Sequence, residues 1–141
     1  MLLTNIVITE ADLKAKRPDI DRYMFGGDPD YSGVIAEADR DEFRRIKQKL
    51  SVEYPGYSQR ELNELTGSVR DIPDETPIHD RLVLFTLSMI FAMNDRFDEA
   101  EYYKREAREI PLKFYIDENQ DGEPGIGEDS SHSRTAYRFG R

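Results

Sequence analysis

The chain has no cysteine and no tryptophan, and only two histidines among its 141 residues. Without cysteine there are no disulfides, no zinc thiolate sites and no thiol nucleophile. Basic residues are also in deficit: 20 Lys and Arg stand against 29 Asp and Glu, a formal net charge of -9. That balance opposes a general affinity for nucleic acid, where lysines and arginines must displace counterions, and leaves room only for a local basic patch. Long apolar runs are missing too. The most hydrophobic stretch, Leu82 to Met93, falls short of the roughly 20 residues that a spanning helix requires, so it reads as a buried core helix. The start, Met1-Leu2-Leu3-Thr4-Asn5-Ile6-Val7-Ile8, has neither the basic lead nor the apolar length of a signal peptide, and secretion by that route is not expected.

What is present is the material for one modest domain. Charged residues make up 35% of the chain, and their spacing is helical. After a β-prone start, Thr9-Glu10-Ala11-Asp12 reads as a capping box for a short helix that stops before Pro18. A brief helical turn through Ile20, Tyr23 and Met24 is ended by Gly26-Gly27-Asp28-Pro29. Ser32 is placed to cap a long helix in which Ile35, Ala38, Phe43, Ile46 and Leu50 form one apolar stripe. Glu37, Asp39, Asp41, Arg44, Arg45 and Lys47 decorate its other faces.

Tyr54-Pro55-Gly56-Tyr57 is a turn, and Ser58-Gln59-Arg60-Glu61 is a second capping box opening a helix through Leu62 and Leu65. A polar loop from Gly67 to Glu75 leads to Thr76 and Pro77, placed as cap and first helical residue. The helix they begin is apolar on nearly all sides, with Leu84, Phe85, Leu87, Met89, Ile90 and Phe91 as the expected centre of the core. Asn94-Asp95 breaks it. A last helix then presents Phe97, Ala100, Tyr103 and Ala107 along one edge, and the two helices form an antiparallel hairpin. The expected fold is mainly α: a small helical bundle, residues 1–111, followed by an extended C-terminal arm, residues 112–141.

Two features of the arm carry chemistry. Asp117 to Glu128 fills each fixed position of the EF-hand calcium-loop pattern: Asp117, Asn119, Asp121 and Glu128 as side-chain ligands, Glu123 through its carbonyl, and Gly122 at the sharp turn. The flanks depart from an EF-hand, since Leu112-Lys113-Phe114-Tyr115-Ile116 is β-prone and Asp129-Ser130-Ser131-His132-Ser133 is a poor exit helix. The loop is therefore either a solitary weak Ca2+ site that orders the arm or a solvated Asp-Gly turn. Beyond it, Arg134, Tyr137, Arg138, Phe139 and Arg141 gather arginine and aromatic groups suited to docking on an acidic partner groove, the alternative being a frayed end.

Catalysis has little footing. His79 falls near a helix start and reads as a surface residue, His132 lies in the polar tail, and Phe25-Gly26-Gly27-Asp28 lacks the lysine and spacing of a phosphate loop. The chain is expected not to be an enzyme. The segment from Leu82 to Pro111 resembles a single tetratricopeptide unit at Phe97-Asp98-Glu99-Ala100, Ala107 and Pro111, but no second copy follows, which favours an ordinary helical hairpin.

The order of features resembles that of the head-tail connector (adaptor, head-completion) proteins of tailed bacteriophages. The elements that carry it are Ile8-Thr9-Glu10-Ala11-Asp12-Leu13 with Arg17-Pro18, then Ile35-Ala36-Glu37-Ala38, then the apolar helix Leu82 to Ala92. Phe97-Asp98-Glu99-Ala100-Glu101-Tyr102-Tyr103 with Ala107, and an Asp/Gly-rich tail ending in arginines, complete the series. The resemblance covers most of the chain as a pattern of helices. It implies a homo-oligomeric ring, commonly of twelve copies, beneath the portal in the virion neck. The portal and a neck or tail protein would be its partners, DNA would pass through the lumen without sequence-specific contact, and the C-terminal segment would dock on the portal or a neighbouring subunit. An acidic lumen would repel DNA and so not stall it. The long acidic loop departs from the commonest members. The readings set against it are a monomeric tetratricopeptide-like interaction module and a calcium-binding regulatory protein.

Overall fold

The computed structural model describes Leu3, residues 5–23 and residues 31–117. The Gly26–Pro29 turn, the loop positions Asn119, Asp121, Glu123 and Glu128, His132, and the tail residues Arg134, Tyr137, Arg138, Phe139 and Arg141 lie outside the described residues.

Within them, local sequence signals become elements in order. The chain runs through α1 (Glu10–Lys16), a 3-10 turn (Ile20–Tyr23), α2 (Ser32–Glu53), α3 (Gln59–Gly67), β1 (Val69–Arg70), α4 (Pro77–Met93), α5 (Phe97–Glu109) and β2 (Tyr115–Ile116). It is a mainly helical bundle with one two-stranded ladder. Both capping boxes form. At α3 the Glu61 N–H donates to Ser58 Oγ at 3.2 Å and the Ser58 N–H to Glu61 Oε1 at 3.1 Å. At α1 the Asp12 carboxylate accepts the Thr9 N–H at 2.7 Å. Each satisfies donors that a helix start leaves without intrahelical partners.

The other two helix starts differ from expectation. Tyr31, not Ser32, occupies the cap of α2, and Ser32 is its first helical residue. Thr76 has φ 44° and makes no side-chain cap. The cap of α4 is instead Asp71, whose carboxylate reaches across the loop to accept the N–H groups of Ile78 at 2.9 Å and His79 at 2.7 Å. A side chain six residues before the first residue of the helix takes the role that Thr76, in a left-handed conformation and without a side-chain cap, leaves open.

The end of α4 is set by Asp95, at φ 58°. Its N–H donates to the Ala92 carbonyl at 3.2 Å and the next N–H, of Arg96, to the Phe91 carbonyl at 2.9 Å. This is the Schellman pattern, with aspartate in the position usually given to glycine. The sharp reversal lays α5 back along α4 in antiparallel register, as Ser88 Oγ donating to the Ala100 carbonyl at 2.8 Å and Arg81 Nη1 to the Ala107 carbonyl at 3.2 Å both require.

The core is α4 and what covers it. Leu82, Leu84, Phe85, Leu87, Ile90 and Phe91 are buried, as are Ile35, Ala38, Ile46 and Leu50 of α2, while Phe43 and Met89 are partly covered. Phe91 packs between the rings of Tyr23 and Tyr103, with centroids at 4.6 and 5.5 Å. Arg17 lies over the same ring at 4.8 Å and pairs with Glu99 at 3.0 Å, tying the end of α1 to the hairpin. Ala100, Tyr103 and Ala107 are the buried edge of α5. Phe97, expected to share that edge, is 61% exposed, because the reversal at Asp95 places the first residue of α5 at the hairpin tip.

Three further expectations are corrected. Asp39 does not decorate an outer face of α2: it is buried and accepts the Leu3 N–H at 3.1 Å, fixing the N-terminal segment on the bundle. That segment is not a strand in its described part, although Leu3, Ile6 and Ile8 are buried. The loop after Gly67 contains β1, which pairs antiparallel with β2 in the register Val69 to Ile116 and Arg70 to Tyr115. Leu112 to Asp117, assigned by sequence to the extended arm, thus lie against the bundle, with Phe114, Tyr115 and Ile116 among its most buried residues. Two facing β-prone segments close on each other here, overriding their polar surroundings.

Candidate functional site

The α1, α4 and α5 helices meet around a groove of about 430 Å³. Its position follows from the caps. The box at Thr9 projects Asp12 from the first turn of α1, and the Asp71 cap holds the first turn of α4 so that His79 and Asp80 face the same space. Ala15, Val83, Leu84 and Ile110 supply apolar walls, and Lys16 and Glu106 complete the rim.

His79 stands between two carboxylates. Its Nε2 is 3.4 Å from Asp12 Oδ2 and its Nδ1 3.4 Å from Asp80 Oδ1. A neutral imidazole has one N–H and donates to one of them at a time; the imidazolium donates to both. Burial pushes the Asp12 carboxyl up, but the Thr9 N–H, the Thr9 hydroxyl and His79 outweigh it and hold the group below the ordinary 3.8. Asp71, behind the groove, is raised: burial outweighs the three backbone N–H groups it accepts.

A second polar centre lies at the α2–α4–α5 junction. The guanidinium of Arg81 donates from Nε and Nη2 to the two oxygens of Glu42, at 2.7 and 3.1 Å, and from Nη1 to the carbonyls of Ala107 and Ile110, at 3.2 and 2.9 Å. Arg45 adds a contact to Glu42 at 3.3 Å and lies over the Phe85 ring at 4.1 Å. With Glu42 wholly buried and both of its oxygens accepting from guanidinium N–H groups, this is a fastening between helices.

The residues expected to bind a metal or a partner are divided by the fold. Asp117, first position of the calcium-type loop, is buried, its carboxylate paired with Arg70 and its N–H donating to the Ser68 carbonyl at 3.0 Å. The remaining loop ligands and the arginine tail fall outside the described residues, so the two candidate binding segments are not brought together with the groove by anything described. Among the described residues no group of three or more His, Cys, Asp or Glu side chains is arranged to hold a metal ion. His79 lies in the first turn of α4, as expected, but is only partly exposed and stands within a constellation. Its partner Asp12 is distant in sequence, and only the two separate helix-start signals could have pointed toward the pairing.

No described helix is long and apolar enough to cross a membrane. No family model matches the chain, and neither curated proteins nor solved structures provide a match.

Proposed function

We propose that the chain is a structural virion protein, a ring-forming head-tail connector that binds the portal and the next neck or tail component. The reading is non-enzymatic: the ring is a homo-oligomer, commonly of twelve copies, DNA passes through its lumen, and the arm residues Arg134, Tyr137, Arg138, Phe139 and Arg141 make the partner contact. The order of elements supports it, a capped short helix, a long amphipathic helix and a buried helix folded back on a partner, as in the family resembled. The observation that carries it is at the tip of that hairpin. Met93 and Phe97 are 49% and 61% exposed there, an apolar end in a small acidic bundle, which suits burial against another subunit.

The test is native mass spectrometry of the full chain, alone and mixed with a tailed-phage portal protein. A ring of many copies, or a stoichiometric complex with the portal, is the expected result. A chain that stays monomeric at high concentration and ignores the portal, yet captures helical peptides, would instead support a tetratricopeptide-like module.

A further inference from the structure

The groove between α1, α4 and α5 has the character of a docking surface for a short cationic and aromatic segment. Its floor is apolar, from Val83 and Leu84. Its rim carries three carboxylates, Asp12, Asp80 and Glu106, against one lysine, Lys16. His79 stands 3.4 Å from each of two of the acids and, when neutral, donates to one of them and adds no counter-charge. The rim therefore attracts cations, and a partner that also fills the floor must carry apolar groups between them.

The chain contains one such segment. Residues 134–141, Arg-Thr-Ala-Tyr-Arg-Phe-Gly-Arg, alternate three arginines with two aromatic residues. We propose that this segment of the same chain occupies the groove, its arginines on Asp12, Asp80 and Glu106 and its aromatic groups, Tyr137 and Phe139, on the floor. The geometry of the chain permits it. Ile110 lines the groove, and Asp117, where the described chain stops, follows it by seven residues, which bounds the separation at about 25 Å. The stretch from Asp117 to Arg134 is rich in glycine and small polar residues, and glycine-rich linkers of that length have a root-mean-square span of roughly 20–25 Å. A tether of this kind presents its end at an effective concentration on the order of millimolar, so a contact with an intrinsic Kd of about 1 mM is half occupied.

In a free subunit the arm is thus held on its own body, and a partner that takes up the arm must first displace it from the groove. The contact is electrostatic at its rim, so it weakens as salt shortens the reach of charge, to about 3 Å at 1 M. The proposal is independent of ring formation: its readout lies within one chain, whereas native mass reports assembly.

Because the chain has no cysteine, a single Ser133→Cys substitution accepts a spin label at one place. The full chain, isotopically labelled and kept dilute enough to be monomeric by native mass, is the sample. Expected is strong broadening of the amide signals of Lys16, His79, Val83 and Leu84, with those of Arg60 and Glu61 on α3 unaffected. Adding Arg134→Gln, Arg138→Gln and Arg141→Gln, or raising salt to 1 M, restores the groove signals. Unbroadened groove signals, or broadening that survives the three glutamines, overturn the proposal. So does broadening that appears only when a spin-labelled, isotopically silent chain is mixed with an isotopically labelled chain that carries no spin label, because the arm would then belong to another copy.

Discussion

Glu37 and Glu42 stand on the same helix, and each meets an arginine at 2.7 Å. Glu37 and Arg40 are neighbours along α2 with both side chains more than half exposed; Glu42 and Arg81 come from different helices and are almost wholly withdrawn from water. Equal distances conceal unequal roles. In water the first pair gains little, because solvent screens it and holding two long side chains together costs rotamer entropy. The second has given up hydration on both sides, so its stability depends on each oxygen and each N–H finding a partner, and the two carbonyls at the end of α5 supply those that Glu42 does not. A buried pair of this kind contributes specificity of packing: only one placement of α2, α4 and α5 satisfies it.

The comparison breaks first at Glu42. Glu42→Ala leaves Arg81 charged and buried, and urea unfolding should register a loss of about 3–5 kcal/mol. Replacing both partners, Glu42→Leu with Arg81→Met, should recover part of that loss, since no buried charge is left unpaired; a double variant as unstable as the single one would show that the Ala107 and Ile110 carbonyls and the packing, not the buried charge, fix the junction. Next comes Ile90→Ala, which tests an apolar neighbour of the same core and should cost about 2–5 kcal/mol through the cavity it leaves.

Asp71 lies between the two extremes, a charged side chain partly withdrawn from water and serving as a cap. Asp71→Ala should cost about 1 kcal/mol, and up to about 2, as α4 loses acceptors for its first N–H groups. Acid sharpens the contrast further. The folded Asp12 carboxyl lies below 3.8, so its stabilisation is complete above that pH and is lost as pH falls through the folded value. Asp71 has the opposite sign: its raised folded value means that stability declines as pH climbs from 3.8 through it. Urea midpoints of wild type and Asp12→Asn should therefore converge on acidification below about pH 3.8, and a difference that persists there would remove the proton linkage. Smallest of all, Arg40→Ala should shift stability by no more than about 0.5 kcal/mol.

The helices were legible because their signals are local. Thr9 with Asp12, Ser58 with Glu61 and Pro77 mark starts within a few residues, and the stripe from Ile35 to Leu50 marks a face. What sequence hid depended on pairings across long separations. Glu42 reads as one more acid on a charged helix until Arg81 is placed opposite it, and Asp39 likewise until the Leu3 N–H arrives. β1 is two residues long and carries no alternation; only its partner at Tyr115–Ile116 makes it a strand. Of the site, each of Asp12, His79 and Asp80 belongs to a recognisable helix start, yet the groove they share follows from the packing of α1 on α4, which no spacing along the chain encodes.

The β1–β2 ladder also governs how this protein answers a mechanical load. It joins Val69 to Ile116 and so closes α4 and α5 inside a loop of chain, with the Arg70–Asp117 pair at its mouth. Once the arm is free of the groove, a pull on it reaches this clasp before it reaches any helix. The hairpin that forms the core feels tension only after a ladder of two residue pairs and one ion pair has parted, which makes the clasp a fuse for force arriving along the arm.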